Sequence, residues 1–85
     1  MTCLHMVSSL PGSPSFERAV ASVCDDDTLL LCGDATYASH VSCQGNIFCM
    51  AEDATARGVL SPYMAADYQT LVALVCQHDK QIDWG

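Results

Sequence analysis

Positive charge is nearly absent from this 85-residue sequence: Arg18, Arg57 and Lys80 stand against ten acidic residues, for a formal net charge of −7. Phosphate backbones are bound through clustered Lys and Arg, so direct nucleic-acid binding is disfavoured. Long apolar runs are missing too, and nothing approaches the ~20 residues needed to span a bilayer. Gly33 and Gly58 are isolated, without GxGxxG or P-loop spacing, so a nucleotide site has no support. No CxxC pair occurs, and His5, His40 and His78 form no close-spaced ligand pattern with the cysteines, which argues against structural zinc. No other cofactor is implied. Met1 to Leu10 lacks the basic start, apolar stretch and cleavage site of a secretory signal, so a cytoplasmic chain is expected. Without a linker or an internal repeat, residues 1–85 read as a single domain.

Apolar residues are abundant, 51% of the chain against 15% charged. A domain of this size buries only roughly 60 to 65% of its unfolded surface. Small chains therefore add disulfides, a metal or a partner subunit. The apolar excess points to a partner. The even count of six cysteines raises a disulfide framework. Their placement opposes it: Cys32 closes Leu29-Leu30-Leu31, Cys49 lies in Ile47-Phe48-Cys49-Met50, and Cys76 ends Leu71-Val72-Ala73-Leu74-Val75. In such runs a free thiol acts as a small apolar side chain.

Short apolar runs alternate with amphipathic ones, which is a βαβα pattern. Cys3 to Val7 reads as a first strand, followed by a loop broken by Pro11, Gly12 and Pro14. Ser13 or Ser15 caps a helix with Phe16, Ala19, Val20 and Val23 on one face, and Asp25-Asp26-Asp27 forms a solvated turn. Thr28 to Cys32 is a continuous apolar strand of the kind buried in a parallel sheet. Ala35 to His40 reads as a short helix capped by Asp34, Asn46 to Ala51 as a third strand, and Glu52 to Arg57 as a helix stopped by Gly58. Tyr63 to Ala66 is a short fourth strand. Asp67 caps a last helix whose stripe is Tyr68, Leu71, Val72, Val75 and Cys76, and Gln81 to Trp84 reaches a terminal edge strand. The expectation is an α/β fold, one small domain with a largely parallel twisted sheet of about five strands and helices on both faces.

Sulfur chemistry would require an accessible cysteine with a lowered pKa. Cys24 is expected to be accessible, but the negative end of the first helix and three aspartates disfavour its thiolate. Cys32 is the better placed of the two, at the carboxyl end of a central strand and just before a helix N-terminus. Cys43 lies in a polar loop, and Cys3, Cys49 and Cys76 read as packing. His5 and His40 have no nucleophile at readable distance and read as structural. Glu52-Asp53 favours a helix start. Arg57 either pairs with a partner's carboxylate or lies at a helix end. Tyr37, Val59, Leu60 and Trp84, at element ends, are the candidate interface residues.

The order of several pieces resembles the TusB and DsrH family of sulfur-relay subunits. These are Leu4-His5 before a polar loop, Leu29-Leu30-Leu31 ending at Asp34, Tyr37-Ala38, Glu52-Asp53-Ala54-Thr55-Ala56-Arg57-Gly58, Asp67-Tyr68 with Leu71-Val72 and Leu74, and Trp84 near the end. The resemblance spans nearly the whole chain. It implies the compact α/β fold of that family and a heterohexamer with TusC-like and TusD-like, or DsrF-like and DsrE-like, subunits. It also implies that the main sulfur-carrying cysteine lies in a partner and that this chain is a supporting subunit. The Tus relay serves thiolation of the tRNA wobble uridine, and the Dsr relay serves sulfur oxidation. Some DsrH proteins carry a cysteine in the first helix where this chain has Ala19, which favours the Tus-like reading. A persulfide on Cys32 or Cys24 is the alternative. Ala35 replaces the Gly common after the Asp.

Overall fold

The computed structural model describes residues 1–85. Its strands are β1 (Cys3–Val7), β2 (Thr28–Leu31), β3 (Asn46–Met50), β4 (Met64–Ala66) and β5 (Lys80–Asp83). Its helices are α1 (Pro14–Ser22), α2 (Ala51–Ala56) and α3 (Tyr68–Gln77), with a short 3-10 helix over Gly33–Tyr37. The strands form one sheet in the order β4-β3-β2-β1-β5, and every neighbouring pair is parallel. The expected α/β architecture is present, and the sheet is wholly parallel.

Chain direction explains the layers. Strands β1 to β4 step one way across the sheet, and their connections pack on one face, where Phe16, Ala19, Val23, Ala35, Ala38 and Ala54 meet Val7, Leu29, Leu31 and Cys49. The chain then returns over the opposite face, where Leu74 of α3 packs with Leu4, Leu30 and Ala66. Right-handed crossovers require this switch of face when the direction of travel reverses. The central Leu29, Leu30 and Leu31 are fully buried, each contributing roughly 1.5–3 kcal/mol of burial free energy.

The helix ends follow their caps. Ser13 accepts from the Phe16 N–H at 3.3 Å, with Pro14 opening α1, and Asp67 accepts from the Thr70 N–H at 2.8 Å. Gly58, at φ 66°, lets the chain leave α2 through left-handed backbone. His78 closes α3: its Nδ1–H donates to the Leu74 carbonyl at 2.7 Å, leaving Nε2 to accept from the Thr28 hydroxyl at 2.9 Å. Gly45 is required by space, because a Cβ there would collide with the Asp27 carbonyl oxygen and a Val23 methyl.

Three local expectations are corrected. The helix expected over Ala35 to His40 is the 3-10 helix Gly33–Tyr37, and Asp34 lies inside it instead of capping it. The Asp34 carboxylate is drawn to Arg57 instead, Nε to Oδ1 at 3.1 Å. The stripe of α3 is rotated: Leu74 is buried and Leu71 and Val75 are half-buried, while Tyr68, Val72 and Cys76 face solvent. The aspartate run is only partly solvated, since Asp27 is buried. No helix is long and apolar enough to cross a membrane.

Candidate functional site

Strand alternation places three residues from distant parts of the chain on one face of adjacent strands. His5 on β1, Asp27 just before β2 and Trp84 just after β5 meet there. The indole Nε1–H can only donate, and it lies 3.1 Å from His5 Nδ1, so Nδ1 accepts. The imidazole proton is therefore on Nε2, which donates to Asp27 Oδ2 at 3.0 Å. The rings of His5 and Trp84 stack with their centroids 6.1 Å apart. Asp27 also accepts from the Cys3 N–H on Oδ1 at 2.9 Å and from the Cys24 N–H on Oδ2 at 3.0 Å. Burial alone would push this carboxyl up, but the Cys24 N–H, His5 and the Cys3 N–H together outweigh it and hold it down at about 2. The network ties both ends of the chain to the turn between α1 and β2.

Both ring nitrogens of His5 are engaged, Nδ1 by the Trp84 indole and Nε2 by Asp27. Cys24 lines the same hollow as His5 and Asp27 and is exposed, and its Sγ donates weakly to the Ser22 carbonyl at 3.8 Å. Burial, then Asp27, pushes the neighbouring Cys3 thiol up.

Cys32 sits at the carboxyl end of β2, half-buried on the α3 face, and its Sγ donates to the Leu30 carbonyl at 3.8 Å. The expected help from a helix N-terminus does not reach it. The Gly33 N–H, first in the 3-10 helix, donates instead to Asp53 Oδ2 at 2.8 Å. Burial first, then Asp53 and Asp83, push the Cys32 thiol up to about 11. Thiolate at neutral pH is then roughly one part in ten thousand.

The remaining sites fall as follows. Cys49 is buried, Cys43 is half-buried in its loop, and Cys76, expected in the core, is exposed because α3 is rotated. Ala19 is completely buried on α1, so a thiol there would point into the core and away from a docking carrier. Arg57 is held inside the chain by Asp34 and by the Asp53 carbonyl, Nη1 to O at 3.1 Å, which clamps α2 to the 3-10 helix. Tyr37 and Leu60 are exposed, with Leu60 at 99%. Val59 and Leu60 line a shallow hollow of about 210 Å³ with Ala54, Tyr63 and Ala65. Trp84 lies at the other side of the sheet, half-buried against His5. The four interface candidates are thus not one surface.

Sequence reasoning missed Asp27, although a signal was present. Asp27, just before β2, is in phase with Leu29 and Leu31 on it, as Cys3, His5 and Val7 are with one another on β1, so strand period alone aims Asp27 at the covered face.

The sequence matches the family model described as DsrH like protein over residues 11–81. No curated protein matches the chain. Among solved structures, the solution NMR structure of protein Tm0979 from Thermotoga maritima is similar, with 16% identity and a TM-score of 0.75, covering 88% of this chain and 92% of that one. At that identity the likeness is one of fold.

Proposed function

The chain belongs to the DsrH-like family, whose members are subunits of sulfur relays, and from that premise we propose that it is a non-catalytic, structural subunit of a sulfurtransferase complex. Its partners are TusC-like and TusD-like, or DsrF-like and DsrE-like, chains in a cytoplasmic heterohexamer. Its docking draws on Tyr37, Val59 and Leu60. The complex passes persulfide sulfur toward thiolation of the tRNA wobble uridine, and this chain makes no direct contact with nucleic acid. The observation that carries the reading is the state of the thiols. Cys32 is pushed up to about 11, and both ring nitrogens of the one histidine near Cys24 are already bonded. A nucleophile for sulfur transfer needs a thiolate, which burial disfavours at Cys32, and no free ring nitrogen stands beside Cys24 to take its proton.

A second reading, in which Cys24 carries persulfide within a sulfur-oxidising complex, is favoured by one feature, the exposure of Cys24. Intact-mass spectrometry after incubating the assembled complex with a persulfide donor separates the two. The structural reading expects added sulfur on a partner subunit and none on this chain. Sulfur on this chain that disappears in Cys24→Ser would establish the second reading instead.

A further inference from the structure

The two edges of the sheet differ. On β5, Lys80, Gln81 and Asp83 are exposed, the charged and polar guard that keeps an edge strand from pairing with other chains. On β4 no charged guard exists: Val59 to Ala66 runs Val-Leu-Ser-Pro-Tyr-Met-Ala-Ala, and only the strand's shortness and Pro62 limit backbone pairing there. Leu60 stands 99% exposed and Met64 66% exposed. The hollow beside Val59, Leu60 and Tyr63 lies on one face of this edge. A larger one of about 480 Å³ lies on the other face, where half-buried Phe48, exposed Met64 and Leu74 meet a mainly polar wall that includes Asp26, Gln77 and His78. Exposed apolar side chains between two hollows on an uncharged edge mark a contact region.

Charge identifies what covers it. Asp26 lines the larger hollow, and Asp67 directly follows β4. No Lys or Arg opposes them: Arg57 is turned to Asp34, Lys80 is on the opposite edge, and Arg18 is on α1. A second copy of this chain would bring another net charge of −7 and another acidic rim to the same place. We propose that the β4 edge, centred on Leu60 and Met64, docks a different chain that presents an apolar segment rimmed by Lys or Arg. Under the reading above, on which this inference rests, that chain is a partner subunit of the relay.

The test is co-expression of this chain with its DsrE-like and DsrF-like partners, followed by affinity purification at low and high salt. Four forms are compared: wild type, the Leu60→Arg, Met64→Arg double variant, Asp26→Lys, and Gln81→Arg on the opposite edge. The double variant alters only exposed side chains, and equal thermal midpoints establish that it folds. It is expected to retain at most roughly a tenth of the wild-type partner yield, as for loss of central apolar anchors. Asp26→Lys is expected to weaken capture mainly at low salt, and Gln81→Arg to leave it unchanged. Hydrogen exchange supplies a measurement without mutation: the Met64–Ala66 amides should slow in the complex. Full capture by the double variant, or unchanged exchange at Met64–Ala66 in an assembled complex, overturns the docking surface while leaving the subunit reading intact. Self-association through this edge overturns the proposed occupant. Failure of the wild-type chain to pair with either partner overturns the subunit reading and this inference together.

Discussion

Replacing Asp27 with asparagine keeps the side chain's shape and removes one acceptor from a buried cluster of three donors. In the native chain Oδ1 takes the Cys3 N–H, and Oδ2 takes the Cys24 N–H and His5 Nε2–H, at 2.9 to 3.0 Å. An asparagine amide turned to satisfy Cys24 and His5 points its NH2 at the Cys3 N–H, leaving two donors face to face. A buried unsatisfied donor costs about 1–3 kcal/mol, and the lost charge on the remaining bonds adds to it. The carboxyl is held at about 2 against an ordinary 3.8, a difference that corresponds to about 2 kcal/mol of stability. Because the folded-state value is the lower one, that stability is present above about pH 4 and is lost as the pH falls through about 2. Urea unfolding at a series of pH values is the assay. Asp27→Asn should be destabilised by about 2–3 kcal/mol at pH 7, with the gap to wild type closing between about pH 4 and pH 2. A variant within about 0.5 kcal/mol of wild type at pH 7, or two pH profiles running parallel below pH 4, would refute the network as a stabilising element.

Other consequences are independent of that cluster's energetics. At pH 7.5, alkylation of Cys32, its thiol pushed up to about 11, should be much slower than that of the exposed Cys24 and Cys76, and comparable rates would contradict its raised pKa. Nitrogen-15 shifts of His5 at neutral pH should report a proton on Nε2 and a bare Nδ1, and Trp84→Phe should broaden or shift the Nδ1 resonance. The reverse tautomer would mean that the indole bond is absent. Gly45→Ala should cost more than about 2 kcal/mol, since the added methyl meets the Asp27 carbonyl oxygen and a Val23 methyl with no room to move, and near-neutral stability would contradict that packing.

Strands were readable because parallel, doubly covered strands are written as continuous apolar runs. Leu29-Leu30-Leu31 announces β2 without reference to anything else in the chain. Helix starts were readable for the same local reason, with Ser13 and Asp67 serving as caps three residues before the N–H groups they accept. The phase of α3 was not, because Leu, Val, Ala and Cys are spread around most of its circumference. Only the sheet decides that Leu74 faces inward and Tyr68 and Cys76 do not. The chemistry of Cys32 hid for a related reason. A helix start one residue on suggested a lowered pKa, but the Gly33 N–H is taken by Asp53, 20 residues away. His5 and Trp84 lie 79 residues apart, and nothing short of the β2-β1-β5 strand order brings them together. Both belong to the pieces that resemble the TusB and DsrH family, and here they form one hydrogen-bonded stack, with His5 buried and Trp84 half-buried.

Native mass spectrometry of this chain co-expressed with its DsrE-like and DsrF-like neighbours tests dependence on partners most directly. The expected spectrum contains a hetero-oligomer with this chain and both partners in equal numbers, and little free chain. A spectrum in which the partners assemble with each other while this chain stays monomeric would contradict its role as a relay subunit.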